Sequence, residues 1–149
     1  MFFLLPEMSQ NFEFTSEEFY DRTYLLSKTT NIDNLDLQEK CQYMGGYLAE
    51  VDYEEEYDFI LGFLTDKRPH PRAREYTLVG VTEPTDGKWV MMTSQLPATF
   101  QRWADGQDHG RGNYNCMYLA WGGTEGMHDW PCTDTQGVKR FLCEKPTGQ

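Results

Sequence analysis

Apolar residues recur at helical spacing in the first third of the chain. Leu37, Cys41 and Met44 stand at i, i+4 and i+7. Asp33 or Asn34 precedes them, and both residue types are common helix N-caps. The pattern therefore predicts a helix that ends at the following Gly-Gly pair and carries Cys41 on its buried face.

A second helical stripe follows Asp52 and runs to about residue 64. Its apolar positions are Tyr53, Tyr57, Ile60, Leu61 and Leu64. Glu54, Glu55 and Glu56 fall in the first turn, where the helix dipole favours negative charge. We interpret this acidic run as a solvated helix start rather than a metal site.

Short apolar runs and turn residues replace the helical spacing in the second half of the chain. "YTLVGVT" and "KWVMM" are predicted strands joined by the turn "EPTDG", and "CMYLAW" and "KRFLCEK" are two more. Two earlier runs, "FYDRTYLLS" and "YLAEV", also predict strands. Helices that come first and a β-rich region that follows predict an α+β fold.

One domain, residues 20–146, accounts for these elements, with a tail at residues 147–149. Residues 1–19 have no clear period and are interpreted as a lead-in, either a disordered tail or a truncated signal. The opening "MFFLLPEM" has too short an apolar run, and no basic residue, for a complete signal peptide. Residues 93–115 are the least regular, and we expect function there because long loops in compact domains are usually functional.

Charge and cysteine content narrow the function classes. The chain has 13 Lys and Arg against 24 Asp and Glu, a net charge of −11, which argues against binding nucleic acid or an anionic membrane. The basic run at residues 67–74 is interpreted as a solvated loop rather than an anion site. The cysteines, none in a CxxC spacing, are Cys41, Cys116, Cys132 and Cys143. They favour two disulfides and secretion to the extracellular space, and they allow three pairings.

The order of these motifs resembles that of the C-type lectin-like domain over about residues 20–146. The matching stretches are "CQYMGGYLAEVDYEEE" (41–56), "LVGV" (78–81), Trp-x-x-Gly (103–106) and the closing "NCMYLAW", "HDWPC" and "FLCEKP". Their wording is most similar to secreted invertebrate members, molluscan ones especially. The resemblance implies two helices flanking antiparallel sheets, with a long irregular loop region.

The same resemblance implies the disulfide pairs Cys41–Cys143 and Cys116–Cys132. The second bridge would pin the ends of a loop that carries His128 and Asp129. In this family, an Asn and an Asp before the third disulfide cysteine, a Gln-Pro-Asp or Glu-Pro-Asn triplet and a later Glu hold calcium. The ion then binds sugar hydroxyls, as suits a cation that takes six to eight oxygen ligands.

Carried onto this chain, the resemblance implies a set of metal ligands and a set of sugar-binding residues. The metal ligands would be Gln107, Asp108, His128 and Asp129, and the sugar-binding residues Gln107, Asp108, His109, Asp129 and Trp130. Trp130 would either stack on a galactose-like ring or fill the core of its loop. Trp89, Trp103 and Trp121 are expected to be packing residues.

Three departures from the family pattern weaken the calcium site. The triplet lacks its proline, so either Gln107 and Asp108 stand for Gln-Pro-Asp, which we favour, or Asp108 and His109 take the last two positions. His128 replaces the Asn, and imidazole is a poor ligand for a hard cation. Tyr114 replaces the later Glu. Calcium binding is therefore expected to be weak or lost.

The sequence predicts a non-enzymatic, secreted carbohydrate-binding lectin. Gln and Asp in the triplet imply galactose-type glycans, and the family suggests innate recognition of microbes, with homo-oligomers raising avidity. The alternative is a calcium-independent module that binds protein or mineral surfaces, which the negative charge would suit. A zinc site at His109, His128, Asp108 and Asp129 matches no known spacing. Catalysis is disfavoured because no nucleophile has an adjacent base.

Overall fold

A computed structural model describes residues 10–67, 75–107, 112–121 and 125–147 of the chain. Predictions that fall on Asp108, His109 and the loop at 68–74 lie outside these residues. The elements, in chain order, are β1 (Phe12–Thr15), β2 (Arg22–Ser27), β3 (Thr30–Asp33), α1 (Asn34–Tyr43), β4 (Tyr47–Leu48), α2 (Glu54–Lys67), β5 (Glu75–Thr85), β6 (Lys88–Met91), β7 (Cys116–Trp121), β8 (Gly126–Trp130) and β9 (Thr133–Pro146). The α+β prediction is confirmed.

The described strands join in one twisted arrangement around β9. The order across it is β1-β2-β9-β5-β7-β8, while β3 and β4 also pair with β9, and β6 pairs with β5. All pairs are antiparallel except β5 with β9, which run parallel, so the sheet is mixed rather than purely antiparallel. At the β8 end, the irregular segment 93–115 approaches the sheet through Trp103, which bridges Met127.

The helices cover opposite faces of the sheet because its apolar residues alternate between two core clusters. On the α2 side, Tyr57, Ile60 and Leu64 pack in one cluster with Val79 and Leu119. On the α1 side, the second cluster contains Leu37, Cys41, Leu78, Tyr118 and Phe141. Successive residues of β5 and β7 thus serve different cores, as the period of two in a strand requires.

Helix α1 begins and ends as its sequence predicts. The Asp33 side chain accepts hydrogen bonds from the backbone N–H groups of Leu35, at 3.2 Å, and Asp36, so it satisfies two donors that the first turn leaves unpaired. The helix ends before Gly45, whose φ of +87° is a conformation that glycine adopts without strain.

The acidic start of α2 differs from its prediction at one residue. Glu54 and Glu55 are exposed, but Glu56 is only 4% exposed. Its carboxylate accepts hydrogen bonds from the Tyr24 hydroxyl at 2.5 Å and the Asp52 N–H at 2.8 Å. The prediction that all three are solvated is therefore wrong for Glu56, which reaches back to the helix start as the glutamate of a capping box does.

The two disulfides have the predicted pairing. Cys41–Cys143 ties α1 to β9 across 102 residues, and Cys116–Cys132 spans 16 residues around the β7–β8 hairpin. In the chain-entropy model, closing the longer loop stabilises the fold more, by about 4–5 kcal/mol. The shorter bridge fixes the ends of the hairpin that carries His128 and Asp129.

The N-terminal region contains a strand that the sequence did not predict. β1 pairs with β2, the Phe12 ring meets Phe141 edge-on with centroids 5.4 Å apart, and Glu13 forms an ion pair with Arg140. Strand β1 has only four residues, too few for a clear alternating pattern, so the sequence does not distinguish it from the rest of the predicted lead-in, residues 1–19. Separately, none of the helices in the described residues combines the length and apolarity needed to cross a membrane.

Candidate functional site

His128 and Asp129 lie in the middle of strand β8. β8 pairs with β7, with Met117 opposite Asp129 and Tyr118 opposite His128. The prediction that these residues sit on a loop is therefore wrong: the whole stretch Gly126–Trp130 is extended and hydrogen-bonded. A strand fixes side-chain direction more firmly than a loop does, since neighbours point to opposite faces.

The two faces of β8 are different environments. On the inner face, Met127 and Asp129 are both 0% exposed. On the outer face, His128 is half-buried and packs edge-on against Tyr76, with ring centroids 5.5 Å apart, while Trp130 is 40% exposed. His128 and Asp129 therefore do not converge on one point.

Gln107 and Asp129 do come together. Backbone hydrogen bonds join Met127 to Arg102 (2.8 Å) and Ala104 (3.0 Å), so the irregular segment runs beside β8 like a further short strand. Where that backbone turns away, the Gln107 side-chain oxygen accepts a hydrogen bond from the Asp129 N–H at 3.2 Å. Gln107 thus extends the pairing at the sheet edge beside Asp129, and both residues are ligands that the sequence predicts.

Trp130 is held on the outer face by neighbours that the sequence did not single out. Its indole N–H donates to the Asp134 carboxylate at 3.1 Å, and Asp134 also pairs with Lys139. The Tyr114 ring lies against the indole, with centroids 5.2 Å apart. Of the two predicted roles for Trp130, filling a loop core does not fit a side chain that is 40% exposed.

The other tryptophans are packing residues where the structure describes them. Trp89 is buried and its ring meets that of Trp103 at 5.0 Å between centroids. The side chain of Trp121 lies outside the described residues. These contacts hold the irregular segment against the sheet close to β8.

The described donor set is small for calcium. Asp129 supplies one carboxylate and Gln107 one amide oxygen, whereas His128 faces Tyr76 and Tyr114 packs on Trp130. Within the described residues, no three His, Cys, Asp or Glu side chains are grouped to hold a metal. Since calcium takes six to eight oxygens, these residues do not by themselves fit the ion.

A buried carboxylate pair anchors the start of the irregular segment. Glu50 accepts hydrogen bonds from the Thr93 N–H (2.8 Å) and hydroxyl (3.0 Å), while the Glu50 N–H donates to Glu144 at 2.8 Å. Burial raises the pKa of Glu144 to about 8, although Arg22, 3.4 Å away, opposes that shift. Glu50 and Glu144 lie 94 residues apart in the chain, so sequence spacing gave no signal of this contact.

The C-type lectin domain profile matches residues 32–145. This match covers most of the chain, and the protein therefore belongs to the C-type lectin domain family. The family is non-enzymatic, and its members are binding domains.

Among individual relatives, the chain is 26% identical over 84 residues to a perlucin-like protein of the mussel Mytilus galloprovincialis. The match covers 56% of this chain and 53% of that protein, so the chain spans about half the length of this curated relative. The similarity agrees with the predicted resemblance to molluscan members.

Solved structures share the fold at low identity. The mouse scavenger receptor C-type lectin carbohydrate-recognition domain has a TM-score of 0.72 at 22% identity, over 89% of this chain and 94% of that one. A calcium-independent type II antifreeze protein has a TM-score of 0.65 at 18% identity, over 89% and 91%. At this level of identity the likeness establishes the fold and leaves the ligand open.

Proposed function

We propose that the protein is a secreted lectin whose carbohydrate site lies where segment 93–115 meets β8, around Gln107, Asp108 and Asp129. The observation that carries the proposal is the hydrogen bond from the Asp129 N–H to Gln107, 3.2 Å long, because it joins the two separate motifs at one place. Binding there is reversible and makes or breaks no covalent bond. Oxygen and nitrogen groups of the site exchange hydrogen bonds with sugar hydroxyls.

We propose galactose-type glycans as the ligands, since Gln107 and Asp108 match Gln-Pro-Asp with its proline deleted. Two disulfides support secretion to the extracellular space. A single site binds weakly, so recognition of microbial surfaces would need a homo-oligomer or clustered glycans. Innate recognition is the role that this combination supports.

Calcium dependence is proposed to be weak and to require Asp108. Of Asp129 and Gln107, only Asp129 has a carboxylate. His128 and Tyr114 stand where the family has Asn and the later Glu, and both side chains make ring contacts instead. Affinity for calcium falls as carboxylates are removed from the ligand set. Millimolar extracellular calcium is the range in which such a site would fill.

A melting curve and a glycan array test this proposal. The melting temperature is measured with calcium and with chelator, because a ligand that binds only the folded form raises it. The array is probed under the same two conditions. A calcium-dependent rise in melting temperature together with calcium-dependent galactoside signals would support the lectin, and the absence of both would remove it.

A second candidate is a calcium-independent module that binds protein or mineral surfaces. His128 and Tyr114 favour it, because they stand at two ligand positions of the family and pack against other rings. The calcium-independent antifreeze protein is a precedent for this fold without the ion. The net charge of −11 suits a cationic surface. Binding to calcium carbonate that persists when no glycan is recognised would favour this candidate.

A further inference from the structure

On the outer face of β8, the exposed Trp130 packs against the half-buried Tyr114, and the proposed site around Gln107, Asp108 and Asp129 does not use this aromatic pair. Trp130 and Tyr114 pack against each other with centroids 5.2 Å apart and an angle of 59° between their planes. Trp130 follows Asp129 in an extended strand, so its ring projects from the face opposite to the buried carboxylate. A ligand held at Asp129 and a ligand stacked on Trp130 would occupy different places.

The indole is fixed before any ligand arrives. Its N–H donates to Asp134, which is only 9% exposed and is paired with Lys139. The strand that bears it is anchored by the Cys116–Cys132 bridge and by the Tyr118 hydroxyl, which donates to the Pro131 carbonyl at 2.9 Å. An exposed aromatic ring held this way loses little conformational entropy on binding.

We propose that Trp130 and Tyr114 form a second glycan contact site, here called the Trp130 platform, which binds a pyranose ring by stacking and needs no metal ion. A pyranose has an apolar face of C–H groups and a rim of hydroxyls. The indole offers a flat apolar surface of matching size, and the Lys139 ammonium, 18% exposed, offers a donor beside it.

The charges around the platform favour a neutral ligand over an ionic one. Among the described residues, Asp134, which contacts the Trp130 indole, is ion-paired with Lys139, so this pair contributes no net charge toward a phosphate, a basic peptide or a cation. The polar groups of Asp134 and Lys139 beside the indole therefore suit hydrogen bonds with the hydroxyl groups of a neutral sugar. Asp134 acts as a positioning residue, because its carboxylate sets the orientation of the indole rather than the position of the sugar.

The test is saturation-transfer NMR on the full chain with methyl β-D-galactopyranoside and methyl α-D-mannopyranoside in excess chelator. We expect transfer to at least one glycoside in the wild-type protein and in Asp129→Asn, and a loss of at least tenfold in Trp130→Ala. Tyr43→Ala, which removes an exposed aromatic ring on α1, should bind like the wild type. Absence of transfer in chelator, or equal transfer in Trp130→Ala and wild type, overturns the proposal.

Variants of Asp134 and Trp130 separate positioning from folding. Asp134→Asn keeps an oxygen acceptor for the indole and should retain most of the binding, whereas Asp134→Leu should weaken it several-fold and change the near-ultraviolet circular dichroism of tryptophan. Trp130→Phe keeps a stacking ring and should bind between wild type and Trp130→Ala. Equal binding in Asp134→Asn and Asp134→Leu would contradict the positioning role. If the Trp130 platform is refuted, the proposed calcium-sensitive glycan binding at Asp129 is not affected. That binding is measured separately with Asp129→Asn.

Discussion

Two polar side chains, Tyr24 and Glu56, form a hydrogen bond inside the core. Tyr24 and Glu56 are buried together, and burial together with their hydrogen bond raises the pKa of the Tyr24 hydroxyl. Burial also raises the pKa of Glu56. The pair links β2 to the start of α2, so a polar contact in the core fixes where the helix begins.

Removing one hydroxyl tests this contact. Tyr24→Phe should lower the free energy of unfolding by about 1–3 kcal/mol, because a buried carboxylate oxygen loses its donor. Tyr43→Phe, at an exposed position on α1, should change it by less than about 0.5 kcal/mol. Urea unfolding measures both variants, and equal losses in the two would contradict the role given to the Tyr24–Glu56 pair.

Elements with strong local signals were predictable, and those defined by distant partners were not. The cap at Asp33 and the Gly-Gly stop fixed α1, because caps act over three or four residues. Strand β1 and the strand character of β8 escaped prediction, since each depends on pairing with a neighbour. The same distinction applies to the candidate site. The motifs indicate Gln107 and Asp129, whereas the contact of Asp134 with Trp130 is visible only in the structure.

The cap of α1 provides a prediction at the scale of one element. Asp33→Ala should destabilise the fold by about 0.5–2 kcal/mol, because the N–H groups of Leu35 and Asp36 lose their acceptor. Asp33→Asn should retain most of the stability, since an amide oxygen also caps. Chemical denaturation followed by far-ultraviolet circular dichroism distinguishes them. A cost in Asp33→Asn as large as in Asp33→Ala would argue against capping as the cause.

At the scale of the whole molecule, the Cys116–Cys132 disulfide and the buried carboxylates of Glu50 and Glu144, here called the acidic cluster, hold the irregular segment to the sheet. Glu144 on β9 accepts from the Glu50 N–H, and Glu50 holds Thr93, where the segment starts. Cys116–Cys132 closes the hairpin just beyond the segment's far end. The segment is thus fastened at its first residue, Thr93, and just beyond its last residue, at Cys116.

The acidic cluster makes stability depend on pH. The pKa of Glu144 is about 8 in the folded protein against an ordinary 4.5, so the folded state binds more protons between those values. Stability should therefore be highest at the acid end of that window and should fall as the pH rises through 8. In Glu144→Gln the fall should be smaller. Melting temperatures from pH 5 to 9 test this, and identical slopes in both proteins would contradict it.

We propose that Gln107 and Asp129 mark a carbohydrate site at the junction of segment 93–115 with β8. Its most direct measurement is a titration of galactoside binding in calcium for wild type, Asp129→Asn and the control Glu55→Gln, an exposed glutamate on α2. We expect Asp129→Asn to lose the calcium-dependent component while it stays folded, and Glu55→Gln to keep it. Undiminished calcium-dependent binding in folded Asp129→Asn would contradict the claim.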